Sequence, residues 1–257
     1  VTVGVQDGRA AEVHGRLGLV NDPELDEPVT ELGFVTGVEV SGGRVLIGFR
    51  LPTYWCAANF AFLMADDMRT EVLRLPWVRE VRVTLGDHMY AETINAAVAQ
   101  GRSFQEAFAE EADGDLSEVR RIFLLKAFQR RQMALLDHLL AVGRSPEALL
   151  ALNLGELRGL SVDADGARLV GRYLERRGVP GPDGPEEPAF VDERGSAVTP
   201  DGFAAHRRAL RRVSVNVEFN GALCRGLLAA RFDEAQPEGE PTLLDFAHGR
   251  VKARAPA

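Results

Sequence analysis

Apolar residues recur at helical spacing at Ala10, Val13, Leu17 and Val20, which predicts a helix over residues 9–19 with Asp7 available as its N-cap. The period then changes. Phe34, Thr36, Val38 and Val40 alternate on one face, Ser41-Gly42-Gly43 supplies a turn, and Val45, Ile47, Phe49 and Leu51 alternate again, so a hairpin is expected. Residues 56–75 return to helical spacing through Phe60, Leu63, Met64, Met68, Val72 and Leu75, and Pro76 blocks continuation. A third strand follows over 78–85, with Val81, Val83 and Leu85 facing inward. The order helix, strand, strand, helix, strand describes a small two-layer α/β domain over residues 1–88.

The remainder reads as a mainly helical extension, which makes the chain α+β. Asp87 is positioned to cap a helix over 89–100 that Gly101 closes, and Ser103-Phe104-Gln105-Glu106 fits a capping box for a short helix. A long helix is expected over 116–142, another from Ser145-Pro146, and another from Asp165 to Gly178, where Arg176-Arg177 complement the helix dipole. The prolines and glycines of residues 180–188 deny that stretch both helix and ladder, so it reads as a linker between the block 89–179 and a mostly helical block 189–232. The latter holds a short strand at Ala189-Phe190-Val191 and helices over 200–212 and 217–231, and the tail 233–257 reads as loose.

Net charge is -8, and residues 1–100 carry 8 Arg against 14 Asp and Glu, so the first part of the chain is acidic. Nonspecific nucleic-acid affinity comes from basic side chains neutralising phosphates, and nucleic acid is therefore not an expected partner. The stretch 149–212 faintly resembles the catalytic half of tyrosine recombinases, yet no tyrosine follows Tyr173 to act as nucleophile. No apolar run approaches the roughly 20 residues of a membrane span, no basic-then-apolar leader is present, and two widely spaced cysteines offer neither a disulfide framework nor a closed zinc site. The expectation is a cytoplasmic protein without membrane contact. Phosphate loops, G-x-S-x-G, H-E-x-x-H and paired C-x-x-C motifs are all missing, which leaves conventional enzyme classes without a foothold.

Cys56 ends the loop Leu51-Pro52-Thr53-Tyr54-Trp55 at the start of the expected helix, where orphan N–H groups and the dipole favour a thiolate, a soft ligand or nucleophile. The residues alone leave a buried structural thiol as the alternative. Asp22 and Glu24, in the turn Asn21-Asp22-Pro23-Glu24-Leu25, read either as turn formers or as acidic neighbours of that thiol. His88, just past the third strand, reads as a cap or surface residue or as a nitrogen ligand on the same rim. Cys224, among Leu223, Leu227 and Leu228, reads as buried packing.

Taken in order, Val20-Asn21-Asp22-Pro23-Glu24-Leu25, Glu31-Leu32-Gly33-Phe34-Val35, the hairpin, the Pro-Thr loop, Cys56, a helix and a Val-rich strand resemble the SufT/PaaD type of iron–sulfur cluster assembly domain, over residues of about 8–88. In place of the prolines that flank the cysteine in that family, Cys56 lies between Trp55 and Ala57. The resemblance implies an accessory protein rather than an enzyme, one that assists transient delivery of iron or an iron–sulfur cluster to an apo-metalloenzyme client; in the PaaD branch the client is a multicomponent di-iron oxygenase. It implies functional roles for Asp22, Glu24, Cys56 and Thr53. A metal-free adaptor that grips an apo subunit through Tyr54, Trp55 and the helical extension is the second expectation. A homodimer stays open.

Overall fold

In the computed structural model, which describes residues 3–109 and 116–232, the chain divides into two units. The first comprises Val1–Asp22, Glu27–Asp113 and Phe219–Ala257, and the second Pro23–Asp26 and Gly114–Glu218. The expected loose tail at 233–257 lies outside the described residues. No helix among the described residues is long and apolar enough to cross a membrane.

The first unit opens with α1 (Val3–Leu17), so Asp7 falls inside that helix instead of capping it. Then β1 (Val35–Ser41), β2 (Arg44–Phe49) and β3 (Glu80–Leu85) form a sheet of that order, with β1 and β2 antiparallel and β2 and β3 parallel. A parallel pair needs a crossover, and α2 (Ala58–Leu73) supplies it. Val45, Ile47 and Phe49 of β2 and Val81, Val83 and Leu85 of β3 are buried on one face, while Arg44 and Glu80, paired across the ladder, bond each other at 2.9 Å on the open face. Full burial of each such aliphatic side chain contributes roughly 1.5–3 kcal/mol. Met64, Met68 and Val72 of α2 are buried as well.

The alternation expected from Phe34 to Val40 breaks at a bulge between Val35 and Gly37, which leaves Thr36 exposed. A Cβ on Gly48 would come within 2.7 Å of Thr36 Oγ1, so a larger residue there requires the Thr36 side chain to shift. After β3 come α3 (Ala91–Gln100) and α4 (Phe104–Ala107). Asp87 does not cap α3, whose N-cap is Tyr90; Gly101 closes the helix at φ 65°, and Ser103 and Glu106 form the expected capping box. The Ser103 amide and hydroxyl bonds hold the Glu106 carboxyl below its usual range.

The second unit is built from α5 (Leu116–Ala141), α6 (Pro146–Leu150), α7 (Leu154–Arg158), α8 (Ala164–Arg177) and the first part of α9 (Phe203–Phe232). Phe128, Leu135, Leu139, Leu157, Tyr173 and Phe190 lie in one buried cluster. α8 is capped by Asp163, which accepts from Gly166 N at 2.7 Å, and Asp165 sits in the first turn. α9 is a single helix where two were expected. Nothing between residues 212 and 217 breaks it, and the Ser214 hydroxyl is absorbed by a 3.2 Å bond to Leu210 O in the preceding turn. The short strand expected at 189–191 is reduced to an isolated bridge between Val191 and Ala197.

Residues 180–188, whose composition suggests a linker, are instead tied down. Prolines lack an N–H but keep their carbonyls, and those carbonyls meet donors. Leu154 N and Gly155 N, orphan donors at the start of α7, bond Glu187 O at 2.9 Å and Pro185 O at 2.8 Å. Arg177, only 1% exposed, donates to Pro182 O at 2.9 Å, Pro188 O at 2.8 Å and Ala189 O at 3.4 Å. Arg177 therefore organises this segment, a role beyond dipole complementation. Tyr173 bonds Ala189 O at 2.7 Å, and burial pushes its hydroxyl pKa well above the ordinary value. Replacing Arg177 with Met strands several buried carbonyls, and an equilibrium urea titration is expected to show a loss of about 3 kcal/mol.

Candidate functional site

The loop after β2 carries the thiol. Leu51 and Pro52 are buried, Thr53 and Cys56 are half-buried, and Tyr54 and Trp55 are 48% and 72% exposed. Cys56 does not open α2, contrary to the sequence expectation. Ala57 is the N-cap, its carbonyl accepting from Phe60 N and Ala61 N at 3.1 Å each, while Cys56 N turns back to Thr53 O at 3.5 Å. The Thr53 hydroxyl lies 3.0 Å from Cys56 Sγ, and either atom can donate. Once the thiol has lost its proton only Thr53 can, so the hydroxyl is placed to steady a thiolate.

His88 holds this loop from the other side. Its Nε2 is 2.7 Å from Cys56 O, and Tyr90 N approaches Nδ1 at 3.2 Å. An amide N–H can only donate, so Nδ1 is the acceptor and Nε2 carries the proton to the carbonyl, a tautomer assigned from the bonding pattern. Met89 N adds a 2.9 Å bond to Tyr54 O. His88 is 5% exposed, and burial, with Arg231 nearby, lowers its pKa against the opposing pull of the Cys56 carbonyl. Both ring nitrogens are engaged, so in this structure His88 clamps the cysteine loop.

The acidic turn is closed by its own backbone: Asp22 N bonds Glu27 O and Val29 N bonds Val20 O, each at 2.9 Å, and Asn21 faces Pro28 in a bridge. Asp22 is 8% exposed. Glu24 is half-buried in the tip Pro23–Asp26, which belongs to the second unit. In that tip Asp26 takes the principal charge contacts, a residue sequence reasoning passed over. At φ 50° and 4% exposure, it accepts from Arg131 Nε at 2.6 Å and Nη2 at 2.9 Å, with Arg176 at 3.5 Å and Arg172 at 3.7 Å. Burial alone would lower the Arg131 pKa, but the bonds and charges of Asp26 and Glu175 outweigh it and raise it. The signal was an aspartate in a turn with no offsetting charge nearby and arginines in the helices far along the chain, which spacing alone cannot pair.

Among the described residues no group of three or more His, Cys, Asp or Glu side chains is arranged to hold a metal ion. Cys56 and Thr53 come together, and His88 joins them through the backbone. Cys224 is half-buried rather than fully packed away.

Against known proteins, residues 10–85 match the model of the family described as iron-sulfur cluster assembly protein. They form a domain of that family. An iron-sulfur cluster carrier protein of Deinococcus radiodurans is 32% identical over 77 residues, which cover 30% of this chain and 21% of that protein. The chain thus spans about a fifth of that relative's length. The assembly domain ends at the last residue of β3, so His88, its bonds to the cysteine loop and all of α9 lie beyond the matched segment.

The clamp has a pH signature. The unfolded chain protonates His88 near its ordinary value of 6.5, whereas the folded chain resists, so the clamp's contribution is complete above that pH and declines as pH falls below it. Protonation also sets an Nδ1 donor against the Tyr90 amide. Unfolding titrations between about pH 7.5 and about pH 5.5 are expected to show a smaller loss of stability in His88→Gln than in the native chain.

Proposed function

We propose that this chain works in iron–sulfur cluster assembly or carriage, with Cys56 as its contact to the iron or cluster it passes on. The observation that carries the reading is a half-buried thiol, braced by Thr53 and the His88 clamp, on a loop inside the assembly domain. A thiolate is a soft ligand suited to iron and to iron–sulfur clusters. One thiol does not close a coordination sphere, and that suits a cargo held briefly and released. The remaining ligands come from a second copy, a small thiol or the receiving protein. Asp22 and Glu24 stay in the proposal through the family likeness alone, as acidic residues of the turn that precedes the hairpin.

Trp55 and Tyr54 are the docking residues of the same reading: large aromatic side chains held out at a loop tip anchor protein interfaces. The partner is an apo-metalloprotein client, and a client of the multicomponent oxygenase type is the one the PaaD likeness favours. The exposure of these two aromatics also favours a second reading, in which the chain grips its client without carrying metal.

Anaerobic loading with ferrous iron and sulfide, followed by desalting and iron analysis, separates the two. The first reading expects iron on the native protein and its loss in Cys56→Ser. In the second, Cys56→Ser leaves client maturation intact, while Trp55→Ala abolishes it. Truncation of a central interface Trp costs about 2 kcal/mol or more, so client affinity of Trp55→Ala is expected to fall by about thirtyfold or more.

A further inference from the structure

The cysteine loop is tied a second time, by a residue from the opposite end of the chain. Within the first unit, the last turns of α9 reach three parts of the assembly domain and its edge. Arg225 Nη1 bonds Glu27 Oε2 at 2.8 Å, and Leu228, 3% exposed, comes 3.6 Å from where a Cβ on Gly33 would stand. One turn further on, Arg231 Nη1 donates to Leu51 O at 3.2 Å and Nη2 to Asp87 O at 2.6 Å, with the Asp87 carboxylate at 2.5 Å. The ring of Phe232 lies under the Arg50 guanidinium at 4.2 Å.

Leu51 is where the chain leaves β2 for the cysteine loop, and Asp87 is where it leaves β3 for the His88 clamp. A single planar guanidinium spans both exits. Its donors form a rigid fork, so a bond to each carbonyl fixes the separation of the two segments. Asp87 takes φ 46°, in the left-handed region that aspartate tolerates at a small cost, which is consistent with a conformation imposed by its contacts.

We propose that Arg231 is a positioning residue for the Cys56 loop, and that the C-terminal helix thereby sets how firmly the thiol is presented. The inference takes Cys56 as the working group, as above. It adds that a segment outside the matched family domain controls it: a partner that draws the end of α9 away frees the loop, and one that holds the helix in place keeps the thiol fixed.

Amide hydrogen exchange on the full chain tests this without any metal. Met89 N and Tyr90 N report directly, because they bond Tyr54 O and His88 Nδ1 across the two braced segments. Arg231→Met is expected to speed exchange at these amides by about tenfold, the effect of losing a charged hydrogen bond, while the amides of β2 and β3 keep their rates. Alkylation of Cys56 by iodoacetamide should rise with it, and that of Cys224 should not. Asp87→Asn retains the backbone acceptor and the tolerated conformation, removes the carboxylate, and should produce a smaller rise at the same amides. Unchanged exchange at Met89 and Tyr90 in both variants overturns the assignment, as does an increase shared equally by the sheet. Iron loading of Cys56→Ser reports separately on the thiol, so either idea can fail while the other stands.

Discussion

His88 donates from Nε2 to the carbonyl of Cys56 and accepts at Nδ1 from the amide of Tyr90, and the presentation of the thiol depends on that pair of bonds. A neutral imidazole gives on one edge and receives on the other. Around it the fold supplies layers of restraint. The sheet fixes the exits of β2 and β3 as register partners, Phe49 opposite Leu85, so the cysteine loop and the clamp leave the same end of adjacent parallel strands. The Tyr54 carbonyl and the Leu51 and Asp87 carbonyls then take donors from Met89 and Arg231. The loop is held by its backbone, which leaves the Cys56, Tyr54 and Trp55 side chains for the roles proposed for them.

That division has a chemical consequence. A resident metal centre needs several donors fixed in advance, and none of that kind is present among the described residues. A lone thiol with a hydroxyl beside it is suited to exchange: it can take part in a coordination sphere completed by others and leave it when a better ligand set is offered. The match of residues 10–85 to the iron-sulfur cluster assembly family supports a role in cluster assembly or carriage, and the proposal adds that Cys56 handles the iron or cluster as cargo.

Much of the architecture was legible because it is periodic. Val45, Ile47 and Phe49 alternate, Val81, Val83 and Leu85 repeat the pattern, and the spacing of Met64, Met68 and Val72 declares a helix between them. Local chemistry was legible too, as in the Ser103–Glu106 capping box and the Gly101 cap. What escaped was set by partners remote in sequence. Thr36 turned outward because of a bulge, and Cys56 fell one residue short of the helix N-cap. The Pro-rich segment at 180–188 looked like a linker because its carbonyl partners, Arg177 and the first amides of α7, cannot be seen in its own composition. Asp26 was hidden for the same reason, since Arg131 lies 105 residues away. The bonds of His88 to the cysteine loop escaped as well, because the direction of a ring hydrogen bond is a property of three-dimensional neighbours.

The central claim of the proposal is that Cys56, presented on a clamped loop, holds iron with further ligands supplied from outside its chain. Native mass spectrometry of the anaerobically loaded protein examines it most directly. Iron is expected in species containing two chains, or one chain with an added small thiol or client, and it should vanish in Cys56→Ser. Iron retained by a single chain without any other ligand source, or retained equally by Cys56→Ser, would contradict the account.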